Sequence, residues 1–384
     1  MRILHTSDWH LGRTLHGVDL LDHQRAFLDH LVDVVREREV DVLLVAGDVY
    51  DRAVPAVPTV RLLSEALGRL SDLATVVLTP GNHDSAVRLG FAAGLLRDGV
   101  HVLASLDSLA TPIVVRDDAG PVAFYGLPYL DPDSVRGLLV APGAEPLARS
   151  HEAVLTAALE RVRADLATRP GARSVVLAHA FVVGGAPSES ERDIRVGGVD
   201  SVPSEVFEGV DYVALGHLHG AQAIGSGAPV IRYSGSPLAF SFGEKNQRKS
   251  STLVELAPDG TVSVELVPAP VPRRLAEITG DLDTLLAGFD DLRDAWLRVF
   301  VTDPVHPANL HALVRERFPH ALSIQHTPVG GVAASDRRAI GAEADPVEVA
   351  TDFVAFATGG EATETEVAVL RSAYEAALAL ETSA

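Results

Sequence analysis

The stretch DVLLVAGDVYD, residues 41–51, decides how the fold is read. Its first half is an unbroken apolar run of strand length, suited to a strand buried on both faces. The run stops at Gly47, and two carboxylates follow, Asp48 and Asp51. The same arrangement recurs along the chain. RILHT (2–6) leads into TSDWHLG (6–12), with Asp8 and His10 two residues apart. Alone, that pair reads equally well as a turn, because Asp often caps a helix or opens a loop. ATVVLTP (74–80) is followed by GNHD, with Asn82, His83 and Asp84. SVVLAH (174–179) ends on His179, and DYVALGH (211–217) runs into GHLH, with His217 and His219.

Helix-like segments separate these runs, over 20–38, 59–70, near 85–97 and near 149–168. Leu63, Leu67 and Leu70 share one helical face. Strand–helix alternation predicts an α/β layered core, because parallel strands need crossover connections. In open α/β sheets, ligands sit beyond the carboxyl ends of the strands. The Asp, Asn and His residues at separate strand ends are therefore expected to converge. Asp supplies charge and can bridge two cations, His a neutral nitrogen and Asn a neutral oxygen. Mixed oxygen and nitrogen donors without sulfur suit manganese, iron or zinc. Two such ions ~3.5–4 Å apart can activate a water and clamp a phosphoryl oxygen for in-line displacement. The glycines at 47, 81 and 216 are read as sharp turns that aim the side chains after them.

Composition narrows the function. The chain has 384 residues, 47% hydrophobic, and a mean hydropathy of +0.18, so it folds around a core. No apolar run reaches the ~18 residues of a membrane span, and MRILHTSDWH lacks the apolar stretch of a signal peptide. Cysteine is absent, which excludes disulfides, thiolate zinc sites and a cysteine nucleophile, and suits a reducing cytoplasm. A net charge of −20 argues against unaided nucleic-acid binding. Local Arg patches, bound cations or a basic partner can overrule that mean. GEKNQRKS (243–250) holds both lysines, Lys245 and Lys249, and reads either as a solvated hairpin or as a phosphate-backbone contact. His5, His16, His23, His101 and His151 read as core or surface residues, and Tyr125 and Tyr129 as packing.

Further strands are expected at 122–128, 230–236, 251–256 and 261–266. VPAPVPRR (267–274) reads as a linker. A small α/β unit follows, with strands in RRLAEIT, AWLRVFV and ALSIQ and a helix near 307–317. A Gly/Ala/Asp-rich stretch at 329–346 precedes two acidic helices separated by a turn at Gly359–Gly360. Their apolar stripes are Val349, Phe353 and Phe356, then Val367, Leu370, Tyr374 and Ala377. The expected divisions are 1–270, 271–340 and 341–384.

DWH, GDVYD, GNHD, His179 and GHLH match the five motifs of the calcineurin-like metallophosphoesterases. Two longer stretches, ERDIRVGG with DYVALGHLHGAQ and IRYSGSPLAFSFGEKNQRKS, resemble the SbcD family of bacterial nuclease subunits, related to Mre-type nucleases. The resemblance implies a layered β-sandwich flanked by helices, a small α/β capping domain and a partner-binding helical tail. It implies a metal-dependent DNA nuclease, exonucleolytic on double-stranded ends and endonucleolytic on hairpins and single strands. It also implies a homodimer and an SbcC-like ATPase partner, with no nucleotide bound by this subunit. Two divalent ions are expected, Mn2+ first among them. One would be held by Asp8, His10, Asp48 and His219, the other by Asp48, Asn82, His179 and His217. His83 would stabilise the transition state or protonate the leaving oxygen, with Asp51 beside it. Arg52 completes a GDxxDR pattern like that of protein phosphatases, where the Arg binds phosphate. Two other readings stand beside the nuclease: a phosphoesterase for small substrates or phosphoproteins, and a non-catalytic scaffold. The segment from 270 onward speaks against the first, and the filled ligand positions against the second.

Overall fold

A computed structural model describes residues 1–91, 93–96, 99–192, 194, 201–271, 273–328, 345–358 and 362–381. The apolar runs form the expected strands. Val42–Ala46, Arg173–His179 and Tyr212–Gly216 are buried at every position. A strand with no exposed face must lie between two layers.

Two six-stranded sheets supply the inner layers. The first runs in the order Val262–Pro268, Ser250–Leu256, Arg2–Thr6, Val42–Ala46, Thr75–Thr79 and Val100–Val102. The second runs Gln222–Ile224, Val230–Tyr233, Tyr212–Gly216, Arg173–His179, Gly120–Gly126 and Ile113–Asp117. The central strands of each sheet are parallel. Their carboxyl ends therefore point one way within each sheet. Ile3, Leu44, Val77, Phe124, Leu177 and Tyr212 fill the space between the sheets. Full burial of each such side chain contributes ~1.5–3 kcal/mol.

Helices close the outer faces. Leu21–Glu37 buries Phe27, Leu28, Leu31 and Val35, an i, i+1, i+4, i+8 stripe, on the first sheet. Val57–Ser71 joins it there through Leu62, Leu63 and Leu70. His151–Leu166 covers the second sheet with Val154, Ala158 and Val162. The result is the expected layered sandwich, helices on both sides of two sheets.

Three details differ from the sequence reading. The helix near 85–97 is instead a single turn, Ala86–Leu89, then a 3-10 turn, Ala93–Leu95. Gly90 and Gly94 lower helix propensity there. The Pro-rich stretch is no free linker. Val262–Pro268 is an edge strand, where proline is tolerated, with Pro268 opposite Ser250. Val267 and Ala269 are buried, and Arg274 pairs with Asp291 at 2.7 Å. Ile113–Asp117 and Gln222–Ile224 are edge strands that the sequence reading missed.

Beyond them, Leu275–Gly280, Trp296–Val301 and Ala321–His326 form a parallel three-stranded sheet with helices Leu282–Ala287 and Leu310–Arg317. It has its own core of Ile278, Leu285, Val299, Val314 and Phe318. Trp296 joins it to the sandwich, packing with Leu15, Leu20, Leu238 and Phe240 and meeting the His23 ring edge-on at 5.4 Å. Lys245, Glu277 and Arg298 add a polar link.

Residues Met1–Thr327 form one compact unit and Pro328–Ala384 a second. In the second, helices Pro346–Thr358 and Glu364–Glu381 pack on each other. Phe353 and Tyr374 are exposed, whereas Val349, Val367 and Leu370 are half-buried. The stretch at 329–344, the Gly359–Gly360 turn and the side chains of Phe356 and Ala377 lie outside the described residues. Among the described residues no helix is long and apolar enough to cross a membrane.

Trp296→Ala should destabilise the chain by ~3–5 kcal/mol through the cavity it leaves. Denaturant unfolding should show the loss, with hydrogen exchange rising first in 275–326. Uniform exchange over the chain would mean that Trp296 is not the joint.

Candidate metal centre

The parallel strands deliver their ends to one place. Arg2–Thr6 brings Asp8 and His10, Val42–Ala46 brings Asp48 and Asp51, and Thr75–Thr79 brings Asn82, His83 and Asp84. From the second sheet, Arg173–His179 ends on His179, and Tyr212–Gly216 leads to His217 and His219. Asp8 (φ 52), His10 (φ 42), Asp48 (φ 49) and His217 (φ 105) adopt left-handed backbone. Non-glycine residues rarely do so, and each costs ~1–3 kcal/mol. Local bonds hold the conformations: Asp8 N–H donates to Gly47 O (3.1 Å), His10 N–H to Asp48 O (2.9 Å) and His217 N–H to Asp8 Oδ1 (3.0 Å).

The glycines play two roles, not the single one the sequence suggested. Gly47 has φ 85 and makes the turn. Gly81 and Gly216 serve close approach instead. A Cβ on Gly81 would meet Asp48 Oδ1 at 2.2 Å, and one on Gly216 would meet Ala46 O at 1.8 Å.

The side chains form three overlapping groups with donor atoms mutually within 4.8 Å: Asp8, His10 and His219; His10, Asp48 and His83; Asp8, Asp48 and His179. Asp48 Oδ2 lies 3.6 Å from His10 Nε2 and 3.5 Å from His179 Nε2. Asn82 Oδ1 lies 2.9 Å from His179 Nε2. Bonds of ~2.1 Å to one ion place neighbouring ligands roughly 3.0–3.4 Å apart. His217 falls outside these groups, its ring edge-on to His179 at 5.4 Å.

Hydrogen bonding settles which nitrogens face inward. His179 Nδ1 is 3.0 Å from Ala46 O, which can only accept, so Nδ1 carries a proton and Nε2 is the nitrogen turned toward Asn82 and Asp48. His219 Nδ1 is 2.6 Å from Ser190 Oγ, whose one proton goes to the Glu244 carboxylate. Nδ1 therefore donates, and the bare His219 Nε2 faces His10 Nε2 at 3.2 Å. Imidazole nitrogens and the carboxylates of Asp8 and Asp48 thus gather around shared space, an arrangement that suits cations. The donor set thus fits divalent metal ions.

The charge states follow from burial and from the Asp48 carboxylate. Burial lowers His10 and His217 to about 3, keeping both neutral. Burial would also lower His179, but the Asp48 carboxylate overcomes it and raises the ring to about 9, drawing in a proton. Burial raises Asp8 to about 6. Burial and the charge of Asp48 raise Asp84 to about 7. Asp84 accepts from the N–H groups of Val49 (3.0 Å), Tyr50 (2.9 Å) and Gly81 (2.9 Å), tying the Asp48 loop to the Asn82 loop.

His83 is held from two sides. Its N–H donates to Asp48 Oδ1 (2.8 Å) and its Nδ1 to Asp51 O (2.9 Å), leaving Nε2 3.9 Å from Asp48 Oδ2. Asp51 thus reaches His83 through its backbone carbonyl, while its carboxylate faces His10 Nδ1 and Arg13, each at 3.6 Å. Arg52 is 82% exposed.

Sequence reasoning missed the groups behind the centre. Ser190, Glu191, Glu244 and Lys249 all contact His219 or its neighbours. Lys249 is buried and Lys245 pairs with Glu277, so two of the three cations in GEKNQRKS serve the fold. No local pattern announces such contacts.

Divalent cations should raise the unfolding temperature, by ~2.7 kcal/mol of stability at 100 times Kd. Chelation should reverse the shift and Asp48→Asn should abolish it. A persistent shift in that variant would remove Asp48 from the site.

Residues 1–221 match the family model described as calcineurin-like phosphoesterase, and residues 271–358 match one described as type 5 capsule protein repressor C-terminal domain. The chain is 33% identical over 384 residues to the D subunit of the SbcCD nuclease of Bacillus subtilis (strain 168), covering 96% of each. Among solved structures, TT1561 of Thermus thermophilus aligns over 69% of this chain and 98% of its own, with 15% identity and a TM-score of 0.38. GAP50 of Plasmodium aligns over 70% and 84%, with 11% identity and a TM-score of 0.39. The chain belongs to the calcineurin-like phosphoesterases and, within them, to the SbcD-type metal-dependent nucleases.

Proposed function

We propose that this chain cuts DNA with two divalent cations, Mn2+ in the cell, as an exonuclease at double-stranded ends and an endonuclease on hairpins and single strands. One observation carries the two-ion reading: Asp48 Oδ2 stands 3.6 Å from His10 Nε2 and 3.5 Å from His179 Nε2, the place of a bridging carboxylate. Asp8, His10, Asp48 and His219 would hold one ion. Asp48, Asn82, His179 and His217 would hold the other. When bound, the ions supply Lewis-acid charge to phosphoryl oxygens and make water more acidic.

The chain's own residues do the rest. His83 stabilises charge on the phosphoryl group or delivers a proton at Nε2 to the leaving oxygen. Asp51 O and Asp48 fix its ring for that task. Arg13, whose guanidinium lies 4.8 Å over the Phe240 ring, and Arg192, which donates to Asn82 O at 3.3 Å, put cations beside the centre of an acidic chain. Arg52 points into solvent, which gives a phosphatase reading no support.

The Bacillus subtilis relative is by name one part of a complex. By that relation this chain works in the cytoplasm with an SbcC-like ATPase, which binds the nucleotide and supplies basic surface for DNA. The tail, 341–384, docks on that partner, and the exposed Phe353 supports this. Segment 271–340 caps the DNA-facing side. A homodimer is supported by exposed Val54, Val57, Val87, Phe91 and Leu95, on two segments joined where Arg88 donates to Ala53 O at 3.3 Å.

The test is cleavage by the purified chain with Mn2+, on a hairpin DNA and on an aryl phosphomonoester. Opening of the hairpin alone is expected, and hydrolysis of the monoester alone would overturn the reading. His83→Ala should keep both ions, measured by titration, and lose ~10²–10⁴-fold in cleavage rate. Loss of an ion would make His83 a ligand. Phe353→Asp with Leu370→Asp should abolish co-purification with the ATPase and leave Mn2+-dependent cleavage of a small phosphodiester intact. Retained co-purification would place the docking surface elsewhere.

A further inference from the structure

Lys249 is one of two lysines in the chain, and its ammonium is buried. Beside it, Glu244 is 1% exposed. Removing two charges from water is unfavourable unless every remaining donor and acceptor is matched. Here they are matched. Lys249 Nζ donates to His219 O (2.9 Å), Ser236 Oγ (2.9 Å) and Gln247 Oε1 (2.7 Å), and it pairs with Glu244 Oε2. Glu244 Oε1 accepts from Phe240 N–H (3.1 Å) and from the Ser190 hydroxyl, and lies 3.3 Å from His219 Nδ1.

An ion pair is not required to fill this space, since apolar side chains of similar volume often stabilise as well or better. What the pair holds is His219, from several sides. Lys249 binds its carbonyl, and the Ser190 hydroxyl with Glu244 binds its Nδ1. Glu191 accepts from its N–H at 2.9 Å. The Glu244 carboxylate lies on the Nδ1 side of the ring, whereas Nε2 faces His10. Glu244 is therefore no ligand. It stands behind the imidazole, where a carboxylate fixes the tautomer and the aim of the ring.

We propose that the Glu244–Lys249 pair positions His219 and thereby sets the affinity of one cation position, the one bounded by Asp8, His10 and His219. The position bounded by Asn82 and His179 does not depend on it. This inference rests on the two-ion reading above. The physical reason is the proton: with no acceptor at Nδ1, the ring is free to turn and to carry its proton at Nε2, where it would exclude an ion.

The experiment is a calorimetric titration of the full-length chain with Mn2+. Wild type is compared with the double variant Glu244→Gln/Lys249→Met, which replaces the pair by neutral groups. His219→Ala marks which binding step belongs to His219. The double variant should weaken that step by ~10–100-fold and leave the other within about twofold. Its cleavage should fail at low Mn2+ and return at high Mn2+, a shift in metal requirement that a merely structural defect would not produce. Ser190→Ala removes the relay without touching the buried charges and should shift the same step by a smaller factor. It decides the matter if metal-free melting shows the double variant unfolded. Equal weakening of both steps, or of neither, overturns the inference. Wild-type protein that takes up fewer than two ions overturns the two-ion reading itself.

Discussion

The centre depends on one close approach between the two sheets. The Ala46 carbonyl, at the end of a first-sheet strand, accepts from His179 Nδ1–H of the second sheet. Gly216 passes so near that a Cβ there would lie 1.8 Å from the same oxygen. Only with the strand ends this close can Asp8, Asp48 and His179 share one space. The sandwich core fixes that separation, because Leu44, Val77, Leu177 and Ala214 pack between the sheets immediately behind the ends. Interiors packed at crystal-like density do not slide, so the distance at the mouth is set by side-chain volume in the core.

The centre is unfavourable by itself, and the surroundings offset the cost. Four of its residues hold left-handed backbone, and imidazole nitrogens and carboxylate oxygens crowd together out of water. Such strain persists only where neighbouring structure over-determines it. Asp84 does this from below, by gathering three N–H groups from two loops. Glu244, Lys249, Ser190 and Glu191 do it from behind His219. The segment that carries Glu244 and Lys249 also stands next to the small three-stranded sheet. Lys245 reaches Glu277, and Arg298 lies 5.1 Å over the Phe242 ring. Part of the support of one histidine and part of the joint of two subdomains thus share a single short segment, 240–249.

Much of the fold and most of the centre can be read from the linear chain, for a physical reason. A parallel strand buried on both faces must be a short apolar run, and its carboxyl end must leave the sheet. Val42–Ala46 followed by Asp48 shows both features within a few residues. The convergence of Asp8, His10, Asp48, Asn82, His179 and His219 follows from that rule. The rule is silent where pattern is weak. Ile113–Asp117 and Gln222–Ile224 are edge strands with little to distinguish them from loops. The 85–97 segment carries helical residues, but Gly90 and Gly94 break it. His217 has its side chain turned toward His179 rather than into the tightest donor groups, and spacing alone does not show the direction of a side chain.

The sequence by itself determined the α/β alternation, the strand ends that carry the ligand-type residues, and the chemistry those residues suit. Each is local, a matter of periodicity, burial or residue type within a few positions. The tertiary structure alone decided why Gly81 and Gly216 are glycine, that Asp51 acts on His83 through its carbonyl, and that Lys249 is buried behind His219. These depend on atoms from chain segments tens to hundreds of residues apart meeting within bonding distance. Such meetings are set by how two sheets and their helices pack, and no short stretch of the chain records them.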